Sequence, residues 1–356
     1  MIEIKKFIDI SKYAGERFDL IQAGGGNSSI KLDNGQMIIK ASGYLLSDIG
    51  ESTGYSKVHT SQIVNILKNK TITEEVDQRM RENLTSSLVY EATIDKRNRP
   101  SIETLLHSFL YKYTLHTHPV VVNMIVIQKQ WRELLSSIFK DEEIALVSYH
   151  TPGIDLALEL HKVIQTFGNI PKIIFLQNHG LIVTSENNED ISRLTDYVLS
   201  KVENFLNIDM SKYKLTNKIT SLLNSVHKSN NISYLSEDSY LNNQLDKNRE
   251  LFSNTPFCPD GLVFCGVRCV NIDNIFETRN IEIYKQEYFS LPKVVIFEDK
   301  LFFIAINIKK AKEMEEVMKF NIMVLERNIL NDKNFLEIKE LNYLNNWEAE
   351  KYRQNL

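Results

Sequence analysis

A short strand that carries two histidines at alternate positions constrains this chain more than any other feature. The run from Tyr113 to His118 has a strand-like pattern and stops at Pro119. Successive side chains of a strand point to opposite faces, so the spacing places His116 and His118 on one face and Thr117 on the other. Such a pair can ligate a metal ion, or it can simply lie on a solvated strand.

A third histidine makes the metal interpretation more specific. His179 lies between Asn178 and Gly180, at a break between two strand-like runs. Three protein nitrogens with one open position are typical of a catalytic zinc site, whereas structural zinc sites close all four positions, usually with cysteine. We therefore predict Zn²⁺ or another divalent metal on His116, His118 and His179.

The residue types around Glu103 favour acid–base chemistry at that metal. Glu103 follows Pro100 and Ser101 at the start of a predicted helix from Ile102 to Phe109 that leads towards the histidine strand. A carboxylate near a divalent metal can remove a proton from a carbon acid whose carbanion the metal stabilises. The alternative is an acidic residue that only favours the helix dipole, with His107 as a satisfied neighbour.

A glycine-rich segment is a candidate anion site. Gly24–Ser29 combines three glycines with Asn27 and two serines, so converging backbone N–H groups and polar side chains could cradle a phosphate. Neither a Walker loop nor a dinucleotide fingerprint fits, because a strand pattern follows and the Gly-Lys-Ser/Thr ending is missing. Ser42 and Gly43, in an Ala-Ser-Gly run, could close the same pocket; a flexible turn is the alternative.

Six short motifs in one order give the chain a family resemblance over residues 20 to 200. It resembles the class II aldolase/adducin family, most closely the aldolase portion of bifunctional rhamnulose-phosphate aldolase/dehydrogenase proteins. The motifs are Gly25-Gly26-Asn27-Ser28, Ala41-Ser42-Gly43, Pro100-Ser101-x-Glu103 with His107, His116-x-His118-Pro119, Tyr149-x-x-Pro152-Gly153 and Asn178-His179-Gly180-Leu181. A looser likeness reaches Pro259-Asp260 and the segment from Trp347 to Arg353.

The resemblance implies a fold and a set of roles. The expected fold is mixed α/β (α+β), a three-layer αβα sandwich around a mainly antiparallel sheet, with a smaller C-terminal α+β region. The implied site has zinc on the three histidines, Glu103 as general base, and a sugar-phosphate substrate held by Asn27, Gly43 and Ser101, with Ser42 beside them. Members are usually homo-oligomers, often tetramers, with active sites between subunits.

The resemblance leaves the reaction open. Aldolase activity through an enediolate is the leading hypothesis, and a sugar-phosphate epimerase, dehydratase or decarboxylase belongs to the same family. An adducin-like binding module without catalysis is the alternative of another class. The chain has Ser101-Ile102 where fuculose-phosphate aldolase-like members carry two serines, so one phosphate donor is missing. Tyr44 and Tyr149 are candidates to line the pocket, but no motif identifies the family's proton-donating tyrosine.

Composition excludes several other classes. A net charge of −4 without a basic block gives no footprint for nucleic acid, and the longest apolar run, from Val120 to Ile127, is too short to span a bilayer. Acidic residues within the first ten positions argue against a signal peptide. Three cysteines without a C-x-x-C pair fit reduced thiols, so we expect a cytoplasmic protein.

The element pattern predicts a catalytic domain over residues 1–205, a polar connecting region over 206–255 and a C-terminal α+β region over 256–356. Within the catalytic domain we predict an N-terminal helix to about residue 22, a hairpin turning at Asn34-Gly35 and a helix over 190–205. A second hairpin over 294–305 precedes a long helix over 311–329.

Overall fold

A computed structural model describes residues 2–327, 332–337, 339–341 and 343. The described chain divides into two compact units, with the boundary after Ser211. Each unit contains one β-sheet; the first unit has a hydrophobic core on each face of its sheet, and the second unit has a separate core of its own. Within the described residues, no helix combines the length and the apolar character that a bilayer span requires.

The first unit contains a seven-stranded sheet with the order β3-β2-β1-β4-β7-β6-β5. Only the β5–β6 pair is parallel, so the sheet is mainly antiparallel. Its strands are β1 (Asn27–Lys31), β2 (Gln36–Lys40), β3 (Tyr55–His59), β4 (Tyr113–Thr117), β5 (Ile144–Val147), β6 (Ile173–Leu176) and β7 (Gly180–Ser185).

Helices cover both faces of this sheet. They are α1 (Ile2–Gly15), α2 (Thr60–Ile66), α3 (Lys70–Thr73), α4 (Gln78–Glu91), α5 (Thr104–Ser108), α6 (Val120–Val126), α7 (Trp131–Ile138), α8 (Ile154–Ile164) and α9 (Asn188–Leu206), with a 3-10 turn at Leu46–Asp48. Along β2, Ile38 packs into one core, with α1, α6, α7 and α9, while Met37 and Ile39 pack into the other, with α2, α5 and α8. This alternation produces the predicted three-layer sandwich.

The first helix is shorter than predicted. It ends at Gly15, where the chain turns and packs so closely against Ser47 that a β-carbon would collide with the backbone nitrogen of that residue. The turn contains a buried ion pair in which Arg17 donates to both carboxylate oxygens of Asp19. The predicted hairpin is confirmed: β1 and β2 pair antiparallel around Gly35, whose φ is +79°.

The second unit contains a four-stranded sheet with the order β8-β11-β10-β9, in which only β9 and β10 are parallel. Its strands are β8 (Ile232–Leu235), β9 (Val270–Ile272), β10 (Val294–Phe297) and β11 (Lys300–Ala305). Its helices are α10 (Ser211–Val226), α11 (Ser239–Lys247), α12 (Pro259–Cys265), α13 (Arg279–Tyr288) and α14 (Ile308–Glu326), with a 3-10 helix at Arg249–Ser253.

The structure divides the C-terminal half differently from the sequence-based scheme. Residues 212–255 lie within the second unit and do not form a separate connecting region, because β8 pairs with β11 and buries Ile232 and Leu235. The hairpin predicted over 294–305 is confirmed as β10–β11. The predicted end of the last helix at Ile329 and the segment from Trp347 to Arg353 lie outside the described residues.

Candidate metal centre

Three histidines converge at one end of the central strands of the first unit. β4 lies between β1 and β7, and His116 pairs with Asn27 on one side and with Ile182 on the other. His118 follows just after β4 ends, and its backbone N–H donates to the carbonyl of Leu20 at 3.0 Å. The predicted pair of imidazoles therefore meets at this end of the sheet.

A tight turn brings in the third histidine from β7. Asn178 has a left-handed φ of +53°, and Gly180 opens β7 directly after His179. A β-carbon on Gly180 would collide with the carbonyl oxygen of Thr117. Only glycine permits this approach, so the Asn-His-Gly sequence holds His179 against the end of β4.

The ligand atoms of the three side chains have the spacing of a metal site. The Nε2 atom of His116 lies 3.0 Å from Nε2 of His118 and 3.3 Å from Nε2 of His179. One ligand atom from each residue falls within 4.8 Å of the other two. Nitrogens bound tetrahedrally to zinc at about 2.0–2.1 Å stand about 3.3 Å apart, so the three imidazoles fit a divalent metal.

The protonation of the histidines also suits metal binding. Nδ1–H of His116 donates to the carbonyl of Leu181 at 3.1 Å, which leaves the lone pair on Nε2. Burial, with the neighbouring His179 and His118, lowers the pKa of His116 well below its usual range. Burial also lowers the pKa of His118. Burial and the neighbouring His118 together lower the pKa of His179 to about 4. Neutral imidazole is the form that ligates a metal.

A buried carboxylate stands next to the triad. Oε1 of Glu103, at the start of α5, lies 3.4 Å from Nε2 of His116 and 3.4 Å from Nε2 of His179. Burial raises the pKa of Glu103 to about 7, against the opposing effects of Lys40 and of the Asn27 amide. A carboxyl group with such a pKa can both accept and release a proton near neutral pH.

Comparison with known proteins assigns the chain to a family. Residues 5–200, more than half of the chain, match the family described as "Class II Aldolase and Adducin N-terminal domain". The chain belongs to this family.

A curated relative that the chain matches shares only a quarter of the aligned residues with it. The chain is 25% identical over 223 residues to the "Uncharacterized oxidoreductase YuxG" of Bacillus subtilis (strain 168), covering 60% of this chain and 31% of that protein. It therefore spans about a third of the length of that curated relative.

Two solved structures are also similar. An N-terminal class II aldolase domain from Thermoplasma acidophilum has a TM-score of 0.49 at 24% identity, over 57% of this chain and 93% of that chain. A sugar-phosphate aldolase from Thermotoga maritima has a TM-score of 0.40 at 13% identity, over 58% and 94%.

In this class II aldolase/adducin chain, Asn27 is the predicted substrate residue that lies deepest. It is fully buried, and its side-chain amide makes no hydrogen bond of ordinary geometry within the described residues, although it lies close enough to the Glu103 carboxylate to lower the pKa of that group. Its position opposite His116 in β4 and its effect on Glu103 place the amide beside the candidate centre. A buried amide in this position retains hydrogen-bonding capacity for a group that enters the site.

The other predicted phosphate residues lie on a neighbouring pair of segments. The Ser42 N–H donates to the carbonyl of Arg99 at 2.8 Å, and the Ser101 N–H donates to the carbonyl of Lys40 at 3.3 Å. Ser42 and Gly43 are exposed, and Gly43 has a φ of +86°. Oγ of Ser101 accepts the backbone N–H of Glu103 at 3.2 Å, so Ser101 also fixes the start of α5.

The glycine run has a packing role that the sequence analysis did not foresee. A β-carbon on Gly25 would lie 3.0 Å from Nδ1 of His118, and one on Gly26 would lie 2.9 Å from the carbonyl of His116. These glycines therefore let the segment before β1 pack directly against two of the three histidines. These contacts explain why residues 25 and 26 are glycine, and they leave the backbone N–H groups as candidates for anion binding.

Sequence reasoning also missed Lys40. Its side chain is buried at the end of β2, where Nζ donates to the carbonyl of Gly24 at 3.3 Å. Its charge lowers the pKa values of Glu103 and His118, which places it near the centre. The available signal was a lysine at the end of an apolar strand, directly before the Ala-Ser-Gly motif.

Proposed function

We propose that the chain is a divalent-metal-dependent class II aldolase that acts on a sugar phosphate or a related ketose. One observation carries this proposal: the Glu103 carboxylate lies 3.4 Å from two of the three histidine nitrogens that meet at the candidate centre. The short distance supports the role of Glu103 as a proton acceptor beside the position where a substrate carbonyl would be polarised. We further propose zinc as the metal and a cytoplasmic homo-oligomer as the working form.

The histidines, Glu103 and Lys40 have different roles in the proposed reaction. When bound by the three histidines, a divalent metal lowers the cost of negative charge on adjacent substrate oxygens. Glu103 removes the proton from the carbon next to the substrate carbonyl, and its raised pKa makes it a stronger base than an exposed carboxylate. The charge of Lys40 lowers the pKa of Glu103 and so favours its ionised, basic form.

Substrate positioning falls to the polar groups around Glu103. The buried Asn27 amide, which makes no hydrogen bond of ordinary geometry within the described residues, would donate to a substrate oxygen. The Ser42–Gly43 turn and Ser101 would hold the phosphate with backbone N–H groups and a hydroxyl. Correct placement of the reacting carbon against Glu103 contributes to the rate in addition to the basicity of the carboxylate.

Metal content and proton exchange test this function. Tag-free protein should contain near-stoichiometric metal by plasma mass spectrometry, and His116→Ala should lose it, whereas His150→Ala, 41% exposed at its side chain, should retain it. The wild type should exchange deuterium into dihydroxyacetone phosphate, without any acceptor aldehyde. Glu103→Gln should retain the metal and lose exchange by about 10²–10⁴-fold, the usual contribution of general base catalysis.

The matched control is Glu159→Gln, a carboxylate that faces His150 and not the triad. It should leave both metal content and exchange unchanged. Full exchange by metal-loaded Glu103→Gln would refute the assigned base. A wild-type protein that binds no metal, even after reconstitution, would support the adducin-like binding module, and exchange without cleavage of any ketose phosphate would favour the epimerase, dehydratase or decarboxylase alternatives.

A further inference from the structure

The second unit contains a cavity of about 360 Å³ that the proposed function does not use. It lies where the end of β11, the start of α14 and the end of α12 meet the segment that leads into β10. Residues of the turn between α10 and β8 complete the lining. The volume is at the lower end of the range for small-molecule sites.

The walls of this cavity are largely apolar. They include Val263 and Phe264 from α12, Leu291 before β10, Ile304 from β11 and Met314 from α14. Val263, Ile304 and Met314 are also buried, so these walls belong to the packed core and are pre-formed. Such walls favour an apolar ligand body that fills the space and releases water.

The charged groups that line the cavity are all basic. They are the two lysines Lys293 and Lys310, and no carboxylate lines the cavity among the described residues. Lys293 is partly buried and donates to the carbonyl of Val263, which occupies one of its three N–H donors. Lys310 pairs with Glu313 at 3.0 Å, a partly exposed pair of the kind that a stronger partner can displace.

We propose that this cavity binds a small organic carboxylate with an apolar body, whose carboxylate group lies between Lys293 and Lys310. The apolar walls accommodate the hydrocarbon part, and the two ammonium groups satisfy the anion. Burial lowers the pKa of Lys293, so its ammonium is destabilised without a counter-ion and gains from a bound carboxylate. All of the lining residues belong to the second unit, and the inference does not depend on the aldolase proposal.

Calorimetric titration of the full chain with decanoate and with decanol tests the site, because the two probes share one hydrocarbon chain and differ in charge. Decanoate should bind saturably at one site per chain and at least about tenfold more tightly than decanol, as a charge-assisted hydrogen bond predicts. Lys310→Met, which removes the charge and keeps most of the stem, should weaken decanoate binding by at least about tenfold.

Lys309→Met is the matched control, since Lys309 is the exposed neighbour of Lys310 on α14 and does not line the cavity. It should bind decanoate as the wild type does. Lys293→Met should also weaken binding, and circular dichroism will show whether it still folds; if it does not, Lys310→Met carries the test.

Three results would overturn the inference: no saturable decanoate binding, equal binding of decanol, or an equal loss in Lys309→Met. Metal content should be unchanged in every folded lysine variant. A failed carboxylate site and a failed metal centre are therefore distinguishable.

Discussion

Two antiparallel strand pairs in this molecule are almost equally buried and yet differ in chemistry. In the second unit, β10 and β11 are apolar at every buried position. In the first unit, β1 and β4 bury asparagine, serine, threonine and histidine among their apolar residues. Both pairs lie within their sheets, with a neighbouring strand on each side.

The difference teaches how the first unit tolerates a polar core. Ser29 Oγ bonds Nδ1 of His107 at 2.8 Å, and Oγ1 of Thr114 bonds Oγ1 of Thr184 at 2.8 Å. A satisfied buried hydrogen bond contributes about 0.5–1.5 kcal/mol net, whereas an unsatisfied group costs about 1–3 kcal/mol. The polar side chains of the β1–β4 pair therefore serve positioning more than stability, whereas the buried side chains of the β10–β11 pair contribute mainly to stability.

The largest expected effect is in the apolar pair. Phe303→Ala removes a fully buried ring from β11, and such truncations cost about 3–5 kcal/mol. Urea unfolding should show this loss for the second unit, whereas the metal content of the folded protein should not change. Phe276→Ala is the control, because Phe276 is 83% exposed and its removal should change stability by less than about 0.5 kcal/mol. A loss of metal in folded Phe303→Ala would contradict the division of roles.

The polar pair should instead respond to pH. Burial, with a smaller effect of Lys31, lowers the pKa of His107 to about 3 from an ordinary value of 6.5. The unfolded chain therefore takes up a proton before the folded one as the pH falls, and stability is lost below about pH 6.5. Between pH 7 and pH 5 this one group should account for about 2 kcal/mol.

Urea unfolding of metal-free protein at the two pH values measures this loss. His107→Gln can still bond Ser29 but cannot titrate, so its stability should fall less between pH 7 and pH 5 than that of the wild type. His59→Gln, at an exposed position, should retain the wild-type pH dependence. An unchanged pH dependence in His107→Gln would show that the imidazole is not held neutral by burial.

The sequence predicted the parts of the site that short patterns encode. Strand alternation placed His116 and His118 together, and the position of His179 at a break between two strand-like runs made it the third candidate ligand. Lys40 was not predicted as part of the site, because its distance from Glu103 depends on how β2 and α5 pack. No local sequence pattern indicates that distance. The triad could be predicted because chain geometry sets it, whereas the electrostatics of Glu103 depend on tertiary contacts.

The same distinction explains the fold. The hairpin around Gly35 was predictable from its turn residues, but the role of residues 212–255 was not. Their polar composition indicated a connecting segment, and only the pairing of β8 with β11 shows that Ile232 and Leu235 complete a sheet. Membership in a sheet depends on a partner about seventy residues away, a non-local contact that composition does not report.

The smallest expected effects distinguish the turns beside the two strand pairs. Gly35, between β1 and β2, has a φ of +79° and open space within 4 Å of where a β-carbon would stand, so Gly35→Ala should lose about 1 kcal/mol through backbone strain alone. Glu298, between β10 and β11, has a φ of +55° and already bears such strain. Glu298→Asn should therefore gain about 0.5 kcal/mol, because asparagine tolerates the left-handed region.

Thermal unfolding of the two variants beside Gly168→Ala measures this contrast. Gly168 also has open space around it but lacks a positive φ, so its replacement should not show the loss expected at Gly35. A gain at residue 298 together with a loss at residue 35 would show that a left-handed backbone costs stability in both turns. If Glu298→Asn destabilises the chain instead, the Glu298 side chain contributes more to the turn than its strained backbone costs, and the β10–β11 pair depends on more than its apolar core.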